Sequence, residues 1–245
     1  PAGVCLSPSV TMSVDKLHKG RVGVASQSGA LQTAMFIRAF DEGIGFSSAI
    51  TLGNQADLEL SDAFEYLVDD PDTDAILLYV EGLKDHQRFK QTALRARVMG
   101  KPVVAVKAGR TDAGAAMANS HTASLTGSYE DFSALCESLG IVVTDQPDTA
   151  VFCADALARW GAPKASGVAV ASGSGGAAAL AADAIEDSKF HVARLGPMAI
   201  SHLAEHLPVL KETANVDFGA YIHAFDPKVM RDTLETFADE PDVGA

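Results

Sequence analysis

Basic residues are scarce in this chain. Its 245 residues include 19 Lys and Arg against 32 Asp and Glu, so the formal net charge is −13. Nucleic acids and anionic membranes bind proteins through basic patches, and the charge therefore argues against either as the main partner. Small phosphorylated ligands remain compatible with the charge, because backbone N–H groups can hold phosphate.

Cysteine and long apolar runs are also lacking. Only Cys5, Cys136 and Cys153 occur, far apart and without a CxxC pair, and the histidines are scattered. This pattern predicts no metal site and indicates reduced thiols in a cytoplasmic protein. No apolar run reaches the roughly 18 residues that span a membrane, and no secretory signal is visible, so we expect no membrane partner.

Strand and helix patterns alternate along most of the chain. Residues 1–19 have weak periodicity and are interpreted as a linker. Over residues 20–162, short Val/Ile/Leu/Ala-rich strands alternate with helices at βαβ spacing, which is typical of a parallel sheet buried on both faces. The segment GAPKASG (161–167) has the composition of a second linker. The alternation then restarts, and a second α/β domain is predicted over residues 167–245.

An internal repeat relates the two domains. VGVASQSG (22–29) and VAVASGSG (168–175) are identical at six of eight positions. A second echo relates DDPDTDA (69–75) to DEPDVGA (239–245). In the first copy this echo leads into the predicted strand AILLYVEG, whereas in the second copy it is the last segment of the sequence. We therefore expect the second domain to be truncated.

Each copy of the repeat consists of a strand, a Ser-x-Ser-Gly turn and a helix. The small residues let backbone N–H groups approach an anion, and the helix points its positive end at the same place. Ser and Gly also cap helices routinely, so phosphate binding and simple capping both stay open. The candidate phosphate-binding residues are Ser26, Ser28, Gly29, Ala30, Ser174, Gly175 and Gly176.

A long connection from Gly109 to Gly127 contains one histidine, His121, between Ser120 and Thr122. Its small, polar residues predict a structureless loop at the carboxyl edge of the sheet, where open α/β folds bind ligands. The histidine is then either a solvated surface residue or a nucleophile on a flexible arm. In the second case its neutral imidazole nitrogen attacks phosphorus.

Glu81 closes the apolar strand AILLYVEG at the same edge of the sheet. As a structural residue it caps a helix or pairs with a lysine such as Lys84. As a functional residue it accepts a hydrogen bond from one imidazole nitrogen, which fixes the tautomer and leaves the other nitrogen nucleophilic.

Together these motifs resemble the NDP-forming acyl-CoA synthetases, relatives of succinyl-CoA synthetase. The likeness to their central domain is carried by Ser26–Leu31, Leu52–Asp57, Asp70-Pro71, Val80–Gly82, Lys107–Thr111 and Ser120–Gly127. The likeness to their next domain is carried by Gly175-Gly176, Leu180–Asp183 and Asn215–Asp217. Ala123 and Val216 replace the glycine and proline usual in the family. The resemblance implies two flavodoxin-like domains, each a parallel sheet flanked by helices.

The resemblance also implies a chemistry for the site. His121 is expected to be phosphorylated and to carry the phosphoryl group between an acyl phosphate and ADP or GDP. Glu81 is expected to orient it, with Ser120 and Thr122 supporting its loop, while the two turns bracket the phosphate. Phosphate on His121 is then the covalently bound group, and CoA, ADP or ATP (or GDP or GTP) and Mg are substrates of the complete enzyme. The implied partners are a CoA-binding domain and an ATP-grasp domain or subunit, within an oligomer.

Two other functions stay open. One is a regulatory or binding module that keeps the fold without the chemistry, as in synthetase-like domains fused to protein acetyltransferases. The complete Ser-His-Thr, Glu81 and both turns favour the enzyme, because a binding module does not need all of them. The other is a flavodoxin that binds flavin phosphate, which would need aromatic residues near the loops. The single tryptophan, Trp160, instead falls on a predicted helix.

Overall fold

The computed structural model describes residues 18–122, 127–207, 210, 212–220 and 226–244 of the chain. The chain divides into two compact units, Pro1–Ala162 and Pro163–Ala245. Most of the expected amino-terminal linker, residues 1–17, lies outside the described residues. The first strand begins at Lys19, the last residue of that expected linker.

The first unit is built on a parallel sheet of five strands. They are β1 (Lys19–Ser26), β2 (Phe46–Thr51), β3 (Ala75–Val80), β4 (Val103–Lys107) and β5 (Val142–Thr144). Their order is β2-β1-β3-β4-β5, and every neighbouring pair is parallel. This is the doubly wound, flavodoxin-like order, in which the winding direction changes between β1 and β3. The predicted α/β class and flavodoxin-like architecture are confirmed.

Helices cover both faces of this sheet. They are α1 (Gly29–Asp41), α2 (Leu60–Asp69), α3 (His86–Val98), α4 (Asp112–Thr122), α5 (Tyr129–Leu139) and α6 (Pro147–Trp160). One core packs α2, α3 and α5 on the sheet around Phe64, Phe89 and Phe132. The other packs α1 and α6 on the opposite face, with Met35 and Ala154 buried. Burial on both faces explains why the strands read as nearly continuous apolar runs.

The expectation of a structureless loop between Gly109 and Gly127 is wrong, because α4 occupies Asp112–Thr122. Four of its eleven residues are alanine, the residue with the highest helix propensity. Thr111 begins the helix: its Oγ1 accepts from the backbone N–H of Gly114 at 3.2 Å, and its carbonyl accepts from that of Ala115 at 2.7 Å. Small residues that suggest a loop by polarity therefore form a capped helix.

The second unit repeats the strand–turn–helix theme with shorter strands. Its elements are β6 (Gly167–Val168), β7 (Val170–Ser172), α7 (Gly175–Glu186), β8 (His191–Val192), α8 (Pro197–Leu203), β9 (Asn215–Asp217), a 3-10 turn (Phe218–Ala220) and α9 (Pro227–Asp239). The strand expected in the second copy of the repeat is interrupted at Ala169. β6 pairs with β8 and β7 with β9, both in parallel, so the strand changes partner where one short neighbour ends and the next begins.

The repeat extends to one backbone hydrogen bond in each unit, which joins the second repeated segment (69–75 or 239–245) to the residue just before the first repeated segment (22–29 or 168–175). In the first unit, the backbone N–H of Asp74 donates to the carbonyl of Arg21 at 2.8 Å. In the second unit, the N–H of Gly244 donates to the carbonyl of Gly167, also at 2.8 Å, beside a parallel bridge between Gly167 and Val243. In each unit, the two segments that repeat in the sequence are therefore connected by an equivalent backbone hydrogen bond.

Within the described ranges, no helix is long and apolar enough to cross a membrane.

Ion pairs join α2 to α3 on the surface of the first unit. Arg88 lies 2.7 Å from Asp62 and 2.6 Å from Glu65. The pKa of Asp62 is lowered by the backbone N–H of Glu59 and then by Arg88, and the pKa of Glu65 is lowered chiefly by Arg88. Because both pKa values are lower in the folded state, the stability they supply is present above about pH 4, the unfolded value, and is lost as the pH falls.

We expect Arg88→Met to lower the free energy of unfolding at pH 7 by about 0.5–1 kcal/mol, the scale of partly exposed ion pairs. The difference from the wild type should shrink between about pH 5 and pH 3, as the carboxylates take up protons. Urea denaturation followed by circular dichroism measures both effects. Arg97→Met, on the exposed side of the same helix, is the control. A difference that stays constant down to pH 3 would contradict the assignment.

Candidate active site

The candidate site lies at the carboxyl edge of the first unit's sheet, where three strands end beside one another. β1 ends at Ser26 and runs into the first turn, β3 ends just before Glu81, and β4 ends at Lys107. Since β1 and β3 are the neighbours between which the winding changes direction, their ends flank the crevice in which doubly wound folds bind ligands.

The first turn is closed by its own serines. The Ser26 hydroxyl donates to the carbonyl of Ser28 at 2.8 Å and accepts from the N–H of Ser28 at 3.1 Å. The Ser28 hydroxyl accepts from the N–H of Leu31 at 3.3 Å, as a helix N-cap. The N–H groups of Gly29 and Ala30 belong to the first turn of α1, where a helix has no carbonyl to offer them. The positive end of the α1 dipole therefore faces the crevice.

The second turn makes the same bonds. The Ser172 hydroxyl donates to the carbonyl of Ser174 at 3.0 Å and accepts from its N–H at 3.1 Å. Ser174 caps α7 through the N–H of Ala177 at 3.5 Å. Capping is therefore present in both copies, and it leaves the N–H groups of Gly175 and Gly176 at the start of α7. Capping and anion binding are compatible uses of one turn.

A carboxylate distinguishes the second turn from the first. A Cβ on Gly175 would lie 2.6 Å from Oδ2 of Asp217, at the end of β9. The other oxygen of Asp217 accepts from the N–H of Gly219 at 2.8 Å, which holds the carboxylate in place. At Gly29 the equivalent space is looser, with Cγ2 of Thr51 at 3.4 Å. The start of α7 thus has a negative charge of its own unit close by, and the start of α1 has a methyl group.

Glu81 is half-buried, and its backbone is held from two sides. Oε1 of Gln27, in the first turn, accepts from the N–H groups of both Glu81 and Gly82. Nζ of Lys107 donates to the carbonyl of Glu81 at 3.0 Å. Lys84, the pairing partner considered from the sequence, instead donates to the carbonyl of Gln55 at 2.6 Å.

The other structural role considered for Glu81, capping a helix, belongs to Asp85. Its carboxylate accepts from the N–H of Arg88 at 2.9 Å and starts α3. The Glu81 carboxylate acts electrostatically on two neighbours. It raises the pKa of Tyr79, adding to the larger effect of burial, and it partly opposes the lowering of the Lys107 pKa by burial.

Sequence reasoning missed Gln27 and Lys107 as site residues. Gln27 is 4% exposed and Lys107 is 5% exposed, yet both are polar. Their signal in the sequence is a long polar side chain at the end of an otherwise apolar strand, in VGVASQ and VVAVK. Buried polar groups need hydrogen-bond partners, and here those partners are the backbone around Glu81.

Ser120, His121 and Thr122 are the last three residues of α4. Their side chains, and all of residues 123–126, lie outside the described part of the chain. The helix that carries His121 starts four residues after Ala108, at the edge of the sheet where Glu81 lies.

A pocket of about 380 Å³ opens beside Lys107, between the starts of α3 and α5. Its apolar wall is formed by Leu83, Phe132 and Leu135. Its lining also contains the polar residues His86, Ser128 and Asp131. The single tryptophan, which the sequence analysis weighed against a flavin site, lies elsewhere. Trp160 ends α6, a helix that runs from the carboxyl edge of the sheet toward the amino edge, and its side chain is exposed.

The histidines are less scattered than the sequence reasoning assumed, since His202 and His206 are four residues apart. His202 pairs with Asp232 at 2.9 Å, and this hydrogen bond raises its pKa. Among the residues that the structure describes, no group of three His, Cys, Asp or Glu side chains could hold a metal ion.

The strand order and the crevice at its reversal define a flavodoxin-like domain, and comparison with known proteins specifies the family. Residues 19–157 match the succinyl-CoA ligase-like flavodoxin domain. The chain therefore belongs to this family, and the resemblance to NDP-forming acyl-CoA synthetases is confirmed.

Similar proteins have names that agree with the family. The chain is 38% identical to the alpha subunit of the ADP-forming acetate–CoA ligase II of Pyrococcus furiosus, over 80% of this chain and 43% of the relative. It is 37% identical to the ADP-forming acetate–CoA ligase I of Archaeoglobus fulgidus, over 83% of this chain and 29% of the relative. The chain thus spans less than half the length of these relatives.

A solved structure is similar over nearly the whole chain. It is the acetyl-coenzyme A synthetase 1 of Ca. Korarchaeum cryptofilum, described as dinucleotide-forming and in complex with phosphate and ADP. Its TM-score is 0.81 at 28% identity, and the match covers 93% of this chain and 49% of that one.

The difference between the two turns can be tested by adding one methyl group to each. Neither Gly29 nor Gly175 has a positive φ, so alanine is compatible with both backbones. We expect Gly175→Ala to lower the free energy of unfolding by about 1–3 kcal/mol, because the new Cβ meets Asp217. Gly29→Ala should stay within about 0.5 kcal/mol of the wild type.

Denaturant titration gives the two free energies, and amide hydrogen exchange identifies the unit affected. The double variant Gly175→Ala with Asp217→Ala should lose less than the sum of its single variants, because the colliding atom is gone. Equal costs for the two glycine variants would show that Asp217 does not restrict the second turn.

Proposed function

We propose that this chain is the phosphoryl-carrying part of an NDP-forming acyl-CoA synthetase, an acid–thiol ligase, and that His121 carries the phosphoryl group. The observation that carries the proposal is the crevice between the ends of β1 and β3. There the N–H groups at the start of α1 lie beside Glu81, whose backbone is held by Gln27. The names of the relatives support the same reaction class.

The proposed chemistry is a two-step transfer. A neutral imidazole nitrogen of His121 attacks the phosphorus of an acyl phosphate, an N–P bond forms, and the P–O bond to the carboxylate breaks. A terminal phosphate oxygen of ADP or GDP then attacks the same phosphorus, the N–P bond breaks, and the nucleoside triphosphate leaves. Glu81 accepts a hydrogen bond from the other ring nitrogen and stabilises the positive charge that builds on the ring.

The two turns are proposed to bind phosphate through their N–H groups. The candidate N–H groups are those of Gly29 and Ala30 at α1 and of Gly175 and Gly176 at α7. Ser28 and Ser174 are candidates through their hydroxyl groups, because their own N–H groups donate to Ser26, which closes the first turn, and to Ser172. One helix start contributes about 0.3–2 kcal/mol toward an anion. Ser120 and Thr122 are proposed to support the segment that carries His121.

The complete reaction needs more than the described units. We propose that a CoA-binding domain and an ATP-grasp domain or subunit act together with this chain in an oligomer in the cytoplasm. CoA, acyl phosphate and nucleotide with Mg are the proposed substrates of that assembly. A relative named as an alpha subunit supports partners on a separate chain, and the longer relatives support partners on the same chain.

Phosphorylation of His121 is directly testable. We expect the protein, assembled with its nucleotide-binding partner and given ATP labelled on the γ-phosphate, to become labelled with an acid-labile, base-stable phosphate. His121→Ala should remove the label, and His206→Ala, at an exposed histidine of the second unit, should keep it. A His121→Ala protein that labels like the wild type would end the assignment. Wild-type protein that never labels would favour the regulatory module.

The role of Glu81 makes a second prediction. Glu81→Gln removes the charge but keeps the backbone groups that Gln27 and Lys107 bind. We expect labelling to slow by about 100-fold or more, within the range for positioned acid–base groups, while circular dichroism stays unchanged. Rapid-quench measurement of the labelling rate tests this, and a wild-type rate would reduce Glu81 to a structural role.

A further inference from the structure

The short segment Glu81–Gly82 is fixed by two buried side chains. Gln27 accepts from both backbone N–H groups through Oε1 and donates through Nε2 to the carbonyl of Gly82 at 2.8 Å. Lys107 donates through Nζ to the carbonyl of Glu81. Every backbone polar group of the two residues therefore has a partner, and the partners come from two different strand ends.

Lys107 makes a second bond that leads away from the glutamate. Its Nζ also donates to the carbonyl of Ala108 at 2.7 Å, while the N–H of Ala108 donates to the carbonyl of Val80 at 2.9 Å. Ala108 begins the short connection to α4, the helix that ends with His121 and Thr122. One ammonium group thus joins the segment that carries the glutamate to the segment that leads to the histidine.

A charge at this position is costly if packing is all that is required. Lys107 is 5% exposed, and burying an ammonium group is unfavourable unless its hydrogens are bonded. A methionine has a similar length and no charge to desolvate. What lysine adds is several N–H donors for carbonyl groups and a positive charge near Glu81.

We propose that Lys107 is a positioning residue of the phosphoryl-transfer site, which sets the distance between Glu81 and the connection to the histidine helix by bonding the carbonyls of Glu81 and Ala108. The inference rests on the proposed function. Lys107 acts through Glu81 and the backbone, and no contact with the transferred phosphoryl group is required of it.

The charge of Lys107 has a further consequence for Glu81. Lys107 on β4 and Tyr79 on β3 both interact electrostatically with the Glu81 carboxylate. A nearby positive charge favours the ionised form of a carboxyl group and so lowers its pKa. Removing the ammonium charge favours the protonated forms of groups near it, so the acidic limb of the labelling rate is expected to move to higher pH.

The same sheet supplies a matched control. Lys101, just before β4 at the amino edge, is partly buried and, like Lys107, bridges backbone carbonyls, those of Asp70 at 2.6 Å and Leu67 at 3.3 Å. Burial lowers its pKa, as it lowers that of Lys107. Lys101→Met therefore removes an equivalent set of bonds at the edge opposite the candidate site.

The test compares Lys107→Met with Lys101→Met in the protein assembled with its nucleotide-binding partner, using ATP labelled on the γ-phosphate. We expect Lys107→Met to label about 10- to 100-fold more slowly, the scale for a small misplacement of catalytic groups. Its acidic limb should lie at higher pH than that of the wild type. Lys101→Met should keep the wild-type rate and limb, even if its melting temperature falls.

Lys107→Gln serves as a second variant if circular dichroism shows that Lys107→Met does not fold. It keeps a donor for the carbonyls but no charge, and a slower rate with a raised acidic limb is expected. A folded variant with wild-type rate and pH profile overturns the inference, as does a loss that Lys101→Met shares. Wild-type protein that never labels overturns the proposed function itself, so the two failures are distinct.

Discussion

The site depends on the parallel pairing of β1 with β3. Residue by residue, Val22 to Ser26 lie beside Ala75 to Tyr79, so both strands finish at the same edge. The chain then turns from β1 into α1 on one face, while the strands beyond β3 continue the sheet on the other side. The backbone around Glu81 is left next to the start of α1, close enough for the single amide of Gln27 to bond it.

The two units show what the repeat conserves and what it leaves to local packing. The bonds within the Ser-x-Ser turn and the N-cap recur with nearly the same lengths, because they depend only on backbone and serine. The neighbour of the glycine differs, a threonine methyl at Gly29 and a carboxylate at Gly175. Equivalent turns therefore provide equivalent N–H donors in different electrostatic surroundings.

The elements predicted best from the sequence are those whose pattern and end signals agree. One of the helices in the predicted alternation, α2, has an apolar stripe and begins with a capping box between Glu59 and Asp62. α4 was missed because its polarity resembles a loop and its cap, Thr111, is ordinary. The break at Ala169 depends on where β8 and β9 end, which no local pattern records. Gln27 and Lys107 gain their roles only when β1, β3 and β4 come together.

The donors at the candidate site suit the proposed function, in which a phosphoryl group is bound and then passed on. Hydrogen bonds to charged partners contribute about 1.5–3 kcal/mol each, and arginine or lysine side chains around a phosphoryl group would hold it tightly in both steps. Helix N–H groups attract an anion less strongly. At the carboxyl edge of the sheet, the buried ammonium group of Lys107 donates to the carbonyls of Glu81 and Ala108. In the proposed site the positive charge of Lys107 would position Glu81, while neutral N–H donors would bind the phosphoryl group. This division is consistent with a chain whose net charge is −13.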